Sequence, residues 1–231
     1  MKAPIVAALA AALVLIAGCG GGGGAAGPEP GSVDTAQAYV PLDTGNWWLY
    51  EYRAPTLAPA QGVRIPDRST RRVVRSRVIA NKQWFEVELT DWCVADGIED
   101  PTFQTIVFLR ETTEGVYYYH DVTKQALPWV KKSAATGETW QPEKALGITW
   151  EMGSKSASAD TPAGQFTGCT MVIERDVFGT GSEQTTEVWE RWFKRGVGMV
   201  MDRYWGEPLD AQDYPGLDPW DETALLDYEI Q

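Results

Sequence analysis

Residues 83–93 read QWFEVELTDWC. In an extended chain successive side chains point to opposite faces. Phe85, Val87, Leu89 and Cys93 then share one face, while Glu86, Glu88 and Thr90 share the other. Such alternation is the mark of a half-buried strand of an antiparallel sheet. Trp84 and Trp92 fall on the polar face of this strand.

Working outward, similar runs of aromatic and β-branched residues recur, separated by Gly, Pro, Asn and Asp. They predict strands near 46–53, 72–80, 83–92, 103–111, 115–120, 147–152, 166–176, 185–194, 197–204 and 223–230. Ala80-Asn81-Lys82 and Thr113-Glu114-Gly115 suit hairpin turns. Cys169, Met171 and Ile173 share a face in 166–175. No segment carries 3.6-residue periodicity over three turns; residues 123–132 have room for one helical turn, with Pro128 against more. The expected fold is all-β: a single large curved antiparallel sheet of about ten strands, half-barrel or barrel-like.

The N-terminus reads differently. Residues 1–19 are MKAPIVAALAAALVLIAGC. Lys2 is followed by an uncharged apolar run, too short for a comfortable membrane span and suited to a signal peptide. Ile16-Ala17-Gly18-Cys19 resembles the lipobox of bacterial lipoproteins. That resemblance implies cleavage after residue 18 and acylation of Cys19. Two or three acyl chains anchor a protein far more firmly than one. Residue 20 is Gly rather than Asp, which in a cell with two membranes implies the outer one, facing periplasm or exterior. Gly20 to Gly24 and the Gly, Pro, Ser and acidic residues after them bury too little apolar surface to order. The expected organisation is a signal peptide 1–18, a lipidated tether 19–37 and an antiparallel β domain 38–231.

Four motifs extend across that domain: Tyr39-Val40-Pro41-Leu42 with Gly45 and Trp47-Trp48; Gly137-Glu138-Thr139-Trp140; Thr161-Pro162-Ala163-Gly164-Gln165-Phe166 followed by Cys169; and Trp192 through Gly196-Val197-Gly198 to Val200. Together they resemble bacterial secreted and lipoprotein domains of unknown function labelled TapB-like, over residues 38–204. The resemblance implies an antiparallel β fold related to the half-barrels of lipoprotein carriers. It implies no catalytic residues. The acidic stretch around 207–222 departs from the pattern. Each motif also has a turn-and-core reading, with Pro162-Ala163-Gly164 as a tight turn and Gly196 and Gly198 at a bend or bulge.

Charge and composition narrow the function. The net charge is −12, which disfavours nucleic acid and anionic head groups as partners. The single histidine, His120, excludes mechanisms needing two, and no Gly-x-Ser-x-Gly elbow supplies a nucleophile. No pair of carboxylates stands out for glycoside hydrolysis. Asp210, Asp213, Asp218 and Asp221 offer oxygen ligands, but their spacing fits no calcium loop. No catalytic residue, metal site or cofactor is expected.

With Cys19 acylated, Cys93 and Cys169 remain. In an exported protein such a pair suggests a disulfide; two buried thiols in separate strands are the alternative. The eleven tryptophans are spread along the chain. Core and cross-strand packing is their ordinary use. Trp48, Trp84 and Trp92 are candidates to face a ligand, because Trp47 and Trp48 point to opposite sides and the other two share a polar face. The expected protein is a lipid-anchored, non-catalytic domain that binds a lipid, glycan or protein partner. A structural component of an envelope assembly is the alternative, and a hydrolase the least favoured. An acyl carrier calls for an apolar pocket of a few hundred Å3, an assembly component for an exposed aromatic patch, and an enzyme for facing carboxylates with a raised pKa.

Overall fold

The computed structural model describes residues 34–53, 67–95, 98–141, 147–178, 185–205 and 221–231. The expected signal peptide, Cys19, all but the last residues of the expected tether, and residues 207–220 of the acidic stretch lie outside the described residues. Within them there is no α-helix, and no helix is long and apolar enough to cross a membrane.

A short 3-10 turn, Thr35–Gln37, precedes twelve strands: β1 (Trp47–Arg53), β2 (Arg68–Ile79), β3 (Lys82–Ala95), β4 (Ile98–Glu111), β5 (Gly115–His120), β6 (Gln125–Lys131), β7 (Thr139–Trp140), β8 (Ile148–Thr161), β9 (Gly164–Phe178), β10 (Thr185–Lys194), β11 (Gly198–Trp205) and β12 (Asp221–Glu229). They form one antiparallel sheet in the order β6-β5-β4-β3-β2-β1-β12-β11-β10-β9-β8-β7. The first and last strands therefore pair at its centre, and two meanders run outward from them. All ten expected strands are present. Two more, β6 and β7, were not expected.

Residues 123–132 hold no helical turn; residues 121–124 form a tight turn and β6 follows. Pro128 is compatible with this because β6 is an edge strand, where a missing N–H breaks no central ladder. At the β2–β3 hairpin Ala80 and Asn81 take φ of 50° and 60°, the left-handed pair that a two-residue turn requires.

The curl of the sheet follows from its connections. The edge strands β6 and β7 are joined by residues 132–138. A flat sheet of twelve strands would part its edges by about 50 Å at ~4.8 Å per spacing. The connecting residues reach about 28 Å fully extended. The sheet must curl, and side chains from distant strands meet inside it. The rings of Trp129 on β6 and Phe193 on β10 lie 5.2 Å apart, and those of Tyr118 on β5 and Trp150 on β8 lie 5.6 Å apart. Trp140 on β7 donates its indole N–H to the Pro128 carbonyl. The sheet is open in its ladder but its edges touch through side chains.

Burial begins at Ala38, and Tyr39, Val40 and Leu42 enter the core. The Glu111 carboxylate accepts the backbone N–H groups of Tyr39 and Val40 at 2.8 and 2.7 Å. Asn46, fully buried, donates to the Pro41 carbonyl and accepts the Gln231 N–H, so both ends of the described chain are tied at one place. The glycine motif closes the same end. Gly198 has φ of +117°, and a Cβ there would meet the Trp48 indole nitrogen at 2.7 Å.

Cys93 and Cys169 are both buried, and no disulfide joins them. The expected bridge is not present. Cys93 lies on β3 and Cys169 on β9, in opposite meanders and six strand spacings apart along the sheet.

Candidate functional site

Register assigns each side chain to a face. On β1, Trp48 and Tyr50 belong to the core, so Trp47 and Leu49 point outward. Trp47 stands opposite Arg72, Arg72 opposite Glu88, and Glu88 opposite Ile106. The next outward row is Leu49, Thr70, Thr90 and Gln104. The third is Glu51, Arg68, Trp92 and Pro101. Register shifts at Leu49/Tyr50 and Asp91/Trp92 bend the strands around these rows.

A cleft of about 710 Å3 opens on this outer face. Trp47 and Trp92, both half-buried, line it together with Arg72, Glu88, Thr90 and Gln104. The polar groups hold one another. Gln104 Nε2 donates to Glu88 Oε1 at 2.6 Å. The Trp92 indole N–H donates to Thr70 Oγ1 at 3.2 Å, and that of Trp47 to Glu229 Oε2 at 3.0 Å. Both indoles are thus fixed by bonds in the plane of the ring.

Of the three tryptophans expected to face a ligand, only Trp92 lines this cleft. Trp84 lies on the polar face, opposite the inward Phe85, but it is 1% exposed. Tyr119 packs edge-on against it at 5.5 Å. Trp48 is 2% exposed, and its indole N–H donates to the Val197 carbonyl. It is a core residue, and its neighbour Trp47 takes the outward place. The phase of the strand carried that signal: Trp48 alternates with Tyr50 and Tyr52, and Trp47 with the charged Glu51. Arg72, Glu88, Gln104 and Glu229 were not singled out, because polar residues on an outward strand face look alike whether or not they border a cleft.

The interior of the curl is built otherwise. Near Trp48, Tyr50 and Phe193 it leaves a void of about 20 Å3, room for about one water molecule. Elsewhere it holds a charged layer. The Arg191 guanidinium pairs with Glu174 and lies 3.5 Å from Asp202. It stacks over Trp129 at 5.6 Å and Trp189 at 5.7 Å. β6 and β10 are far apart in strand order, so this contact crosses the interior. Burial pushes the Asp176 carboxyl up to about 7, with Glu174 adding to the rise and Arg191 opposing it. Burial likewise lifts Asp221 to about 6, helped by the charges of Asp202 and Asp91. Asp202 is raised by burial against the pull of Arg191 and Arg71. Asp176 Oδ1, Asp202 Oδ1 and Trp150 Nε1 are buried and make no hydrogen bond.

His120 takes part in a local turn: its Nδ1 accepts the Thr123 N–H at 3.2 Å. Among the described residues, no group of three or more His, Cys, Asp or Glu side chains is placed to hold a metal ion.

No protein-family model matches the chain, and neither does any curated protein. The TapB-like resemblance of the four motifs gains no support there. Two solved structures share the fold. One is a Bacteroides fragilis NCTC 9343 protein provisionally described as exported, with a YmcC-like fold. It matches at a TM-score of 0.53 and 13% identity, over 82% of this chain and 98% of its own. The other, from Parabacteroides distasonis ATCC 8503, is provisionally described as a lipoprotein. It matches at a TM-score of 0.52 and 12% identity, over 84% of this chain and 99% of its own. At such identity the likeness establishes the fold.

Proposed function

We propose that this chain is a lipid-anchored protein of the bacterial cell envelope, acylated on Cys19, whose β domain binds a ligand at its outer face and performs no bond-breaking chemistry. The cleft bordered by Trp47 and Trp92 is the observation that carries the reading. Its volume falls in the range of small-ligand sites, about 300–1,000 Å3. The signal peptide and lipobox support the anchor, and the outer membrane is the destination that Gly20 implies. The two structural neighbours, described as exported and as a lipoprotein, agree with an envelope location.

The inward void beside Trp48, Tyr50 and Phe193 is about 20 Å3, too small for an acyl chain, and the outer cleft is far larger. The raised carboxylates could suggest an enzyme, but they sit against Arg191 in packed surroundings, and buried ion networks shift pKa values without catalysis.

A second reading, a structural component of an envelope assembly, has one observation in its favour. Val74, Val78, Phe103 and Ile106 are exposed along β2 and β4. β5 pairs only with Leu109, Arg110 and Glu111 of β4.

The test is native mass spectrometry of the full-length lipoprotein, extracted in detergent from exporting cells. The expected result is a diacyl or triacyl mass on Cys19 together with a bound small molecule. A Cys19→Ala chain found in the membrane fraction at wild-type levels would refute the anchor. A stoichiometric protein partner in place of the small molecule would favour the assembly.

A further inference from the structure

The cleft has a chemistry that selects among ligands. A pyranose ring offers apolar C–H faces above and below and hydroxyl groups around its rim. Recognition therefore wants flat aromatic surfaces for the faces and paired donors and acceptors for the rim. The outer face of β1–β4 has both. Trp47 and Trp92 have indoles fixed edge-on to Glu229 and Thr70. Between them lie Arg72, Glu88, Thr90 and Gln104, which offer guanidinium and amide N–H donors and carboxylate, hydroxyl and amide acceptors.

The span suits more than one ring. Trp47 and Trp92 are two strands apart laterally and four residues apart along the ladder. At ~4.8 Å per strand and ~3.4 Å per residue that is about 17 Å between Cα atoms, the length of several linked pyranoses.

The lining sets Arg72 against Glu88 and Glu229, while the Arg71 guanidinium turns inward over the Tyr50 ring, on a chain whose net charge is −12. A polyanion would meet the carboxylates and the acidic field around them. A fatty chain would strip water from the polar rim for no return hydrogen bond.

We propose that this cleft binds a neutral oligosaccharide, stacked on Trp47 and Trp92 and held at its hydroxyls by Arg72, Glu88 and Gln104. The inference rests on the binding-domain reading and specifies its ligand.

The experiment uses the full-length lipoprotein in detergent and follows indole fluorescence and heat of binding. The probes are neutral hexasaccharides (α-1,4-glucan, β-1,4-glucan and the N-acetylglucosamine oligomer), each with its disaccharide, beside a galacturonate hexamer. The expected result is saturable binding of a neutral hexasaccharide, at least tenfold tighter than its disaccharide and than the acidic hexamer. Trp47→Ala and Trp92→Ala should each weaken it tenfold or more with the β circular-dichroism spectrum retained, and Gln104→Ala should weaken it less. Absence of binding by every neutral probe overturns the proposal, as does binding that survives both tryptophan substitutions.

The broader reading fails separately. Suppose no sugar binds but the two alanine variants lose a co-purified ligand of another kind. Then the cleft stands as a site and the saccharide is wrong. If the variants lose nothing, both readings fall.

Discussion

The Trp140 indole N–H meets the Pro128 carbonyl at 3.0 Å, and with that bond the two edges of a twelve-stranded sheet are held together. Pro128 has no N–H of its own to offer a neighbouring strand, and its carbonyl is taken by a side chain instead. Trp140 also packs edge-on against Trp150 at 6.2 Å and lies beneath the Lys131 ammonium. Replacing Trp140 by Phe should remove the hydrogen bond and keep most of the packing. The expected loss is about 1 kcal/mol of unfolding free energy, read from urea denaturation. Trp140→Ala should cost about 3–5 kcal/mol. A Trp140→Phe variant as stable as the wild type would show that the bond is unimportant to the seam.

Glu111 is the corresponding device at the N-terminal segment. Its carboxylate accepts two backbone N–H groups and pairs with Lys132 at 2.7 Å. Burial raises its pKa, and Lys132 and the two amides oppose the rise. Glu111→Gln keeps the shape but offers one acceptor oxygen in place of two. It should destabilise by about 1–3 kcal/mol and speed hydrogen exchange at Tyr39 and Val40. Unchanged exchange at these amides would mean that other contacts hold the segment.

The charged layer makes stability depend on pH, and the sign follows from proton uptake. Asp176 ionises at about 7 in the fold against an ordinary value of 3.8, and Asp221 at about 6. Between those limits the folded chain holds protons that the unfolded chain has released. The stability these two groups contribute is therefore fully present below about pH 4, falls as pH rises, and is lost above about 7. Asp176 faces Glu174, Arg191 and Glu187, so Asp176→Asn removes a charge set among both signs. Its melting temperature should exceed that of the wild type at pH 8 and fall less steeply between pH 4 and 7. A wild-type slope in this variant would assign the pH dependence elsewhere.

Cys93 and Cys169 stand in opposite meanders. The mass of the protein from an oxidising compartment should therefore not change on reduction, and reductant should leave its melting temperature unmoved. A gain of two hydrogens on reduction, mapped to these residues, would contradict the arrangement.

Much of the fold was legible because strand patterning is local. The alternation of Phe85, Val87 and Leu89 against Glu86 and Glu88 fixed the faces of β3, and the register with β2 and β4 agrees with it. β6 was missed because Pro128 interrupts a short run, and β7 because two residues carry no period. The site was less legible. Trp92 was placed by phase alone, and it lines the cleft. Trp84, in the same phase, is covered by Tyr119 from a strand that its own sequence neighbourhood does not reveal. The choice between Trp47 and Trp48 needed the companions of each along the strand. The cysteine expectation failed for a related reason. Parity in number says nothing of distance, which only the folded sheet supplies.

The pairing of β1 with β12 has a consequence for how the chain comes to be folded. A ribosome, or a channel that threads the chain from its first residue, delivers Trp47–Arg53 long before Asp221–Glu229. Until the last strand emerges, one side of β1 has no ladder partner, and the first six strands end in a bare aromatic edge. Such edges recruit other chains. The slow step is then a contact between the two ends of the sequence, which is the most expensive kind to find by diffusion. A holdase that guards this chain has its longest task at the first strand made, and release timed to the arrival of the last would separate folding from aggregation.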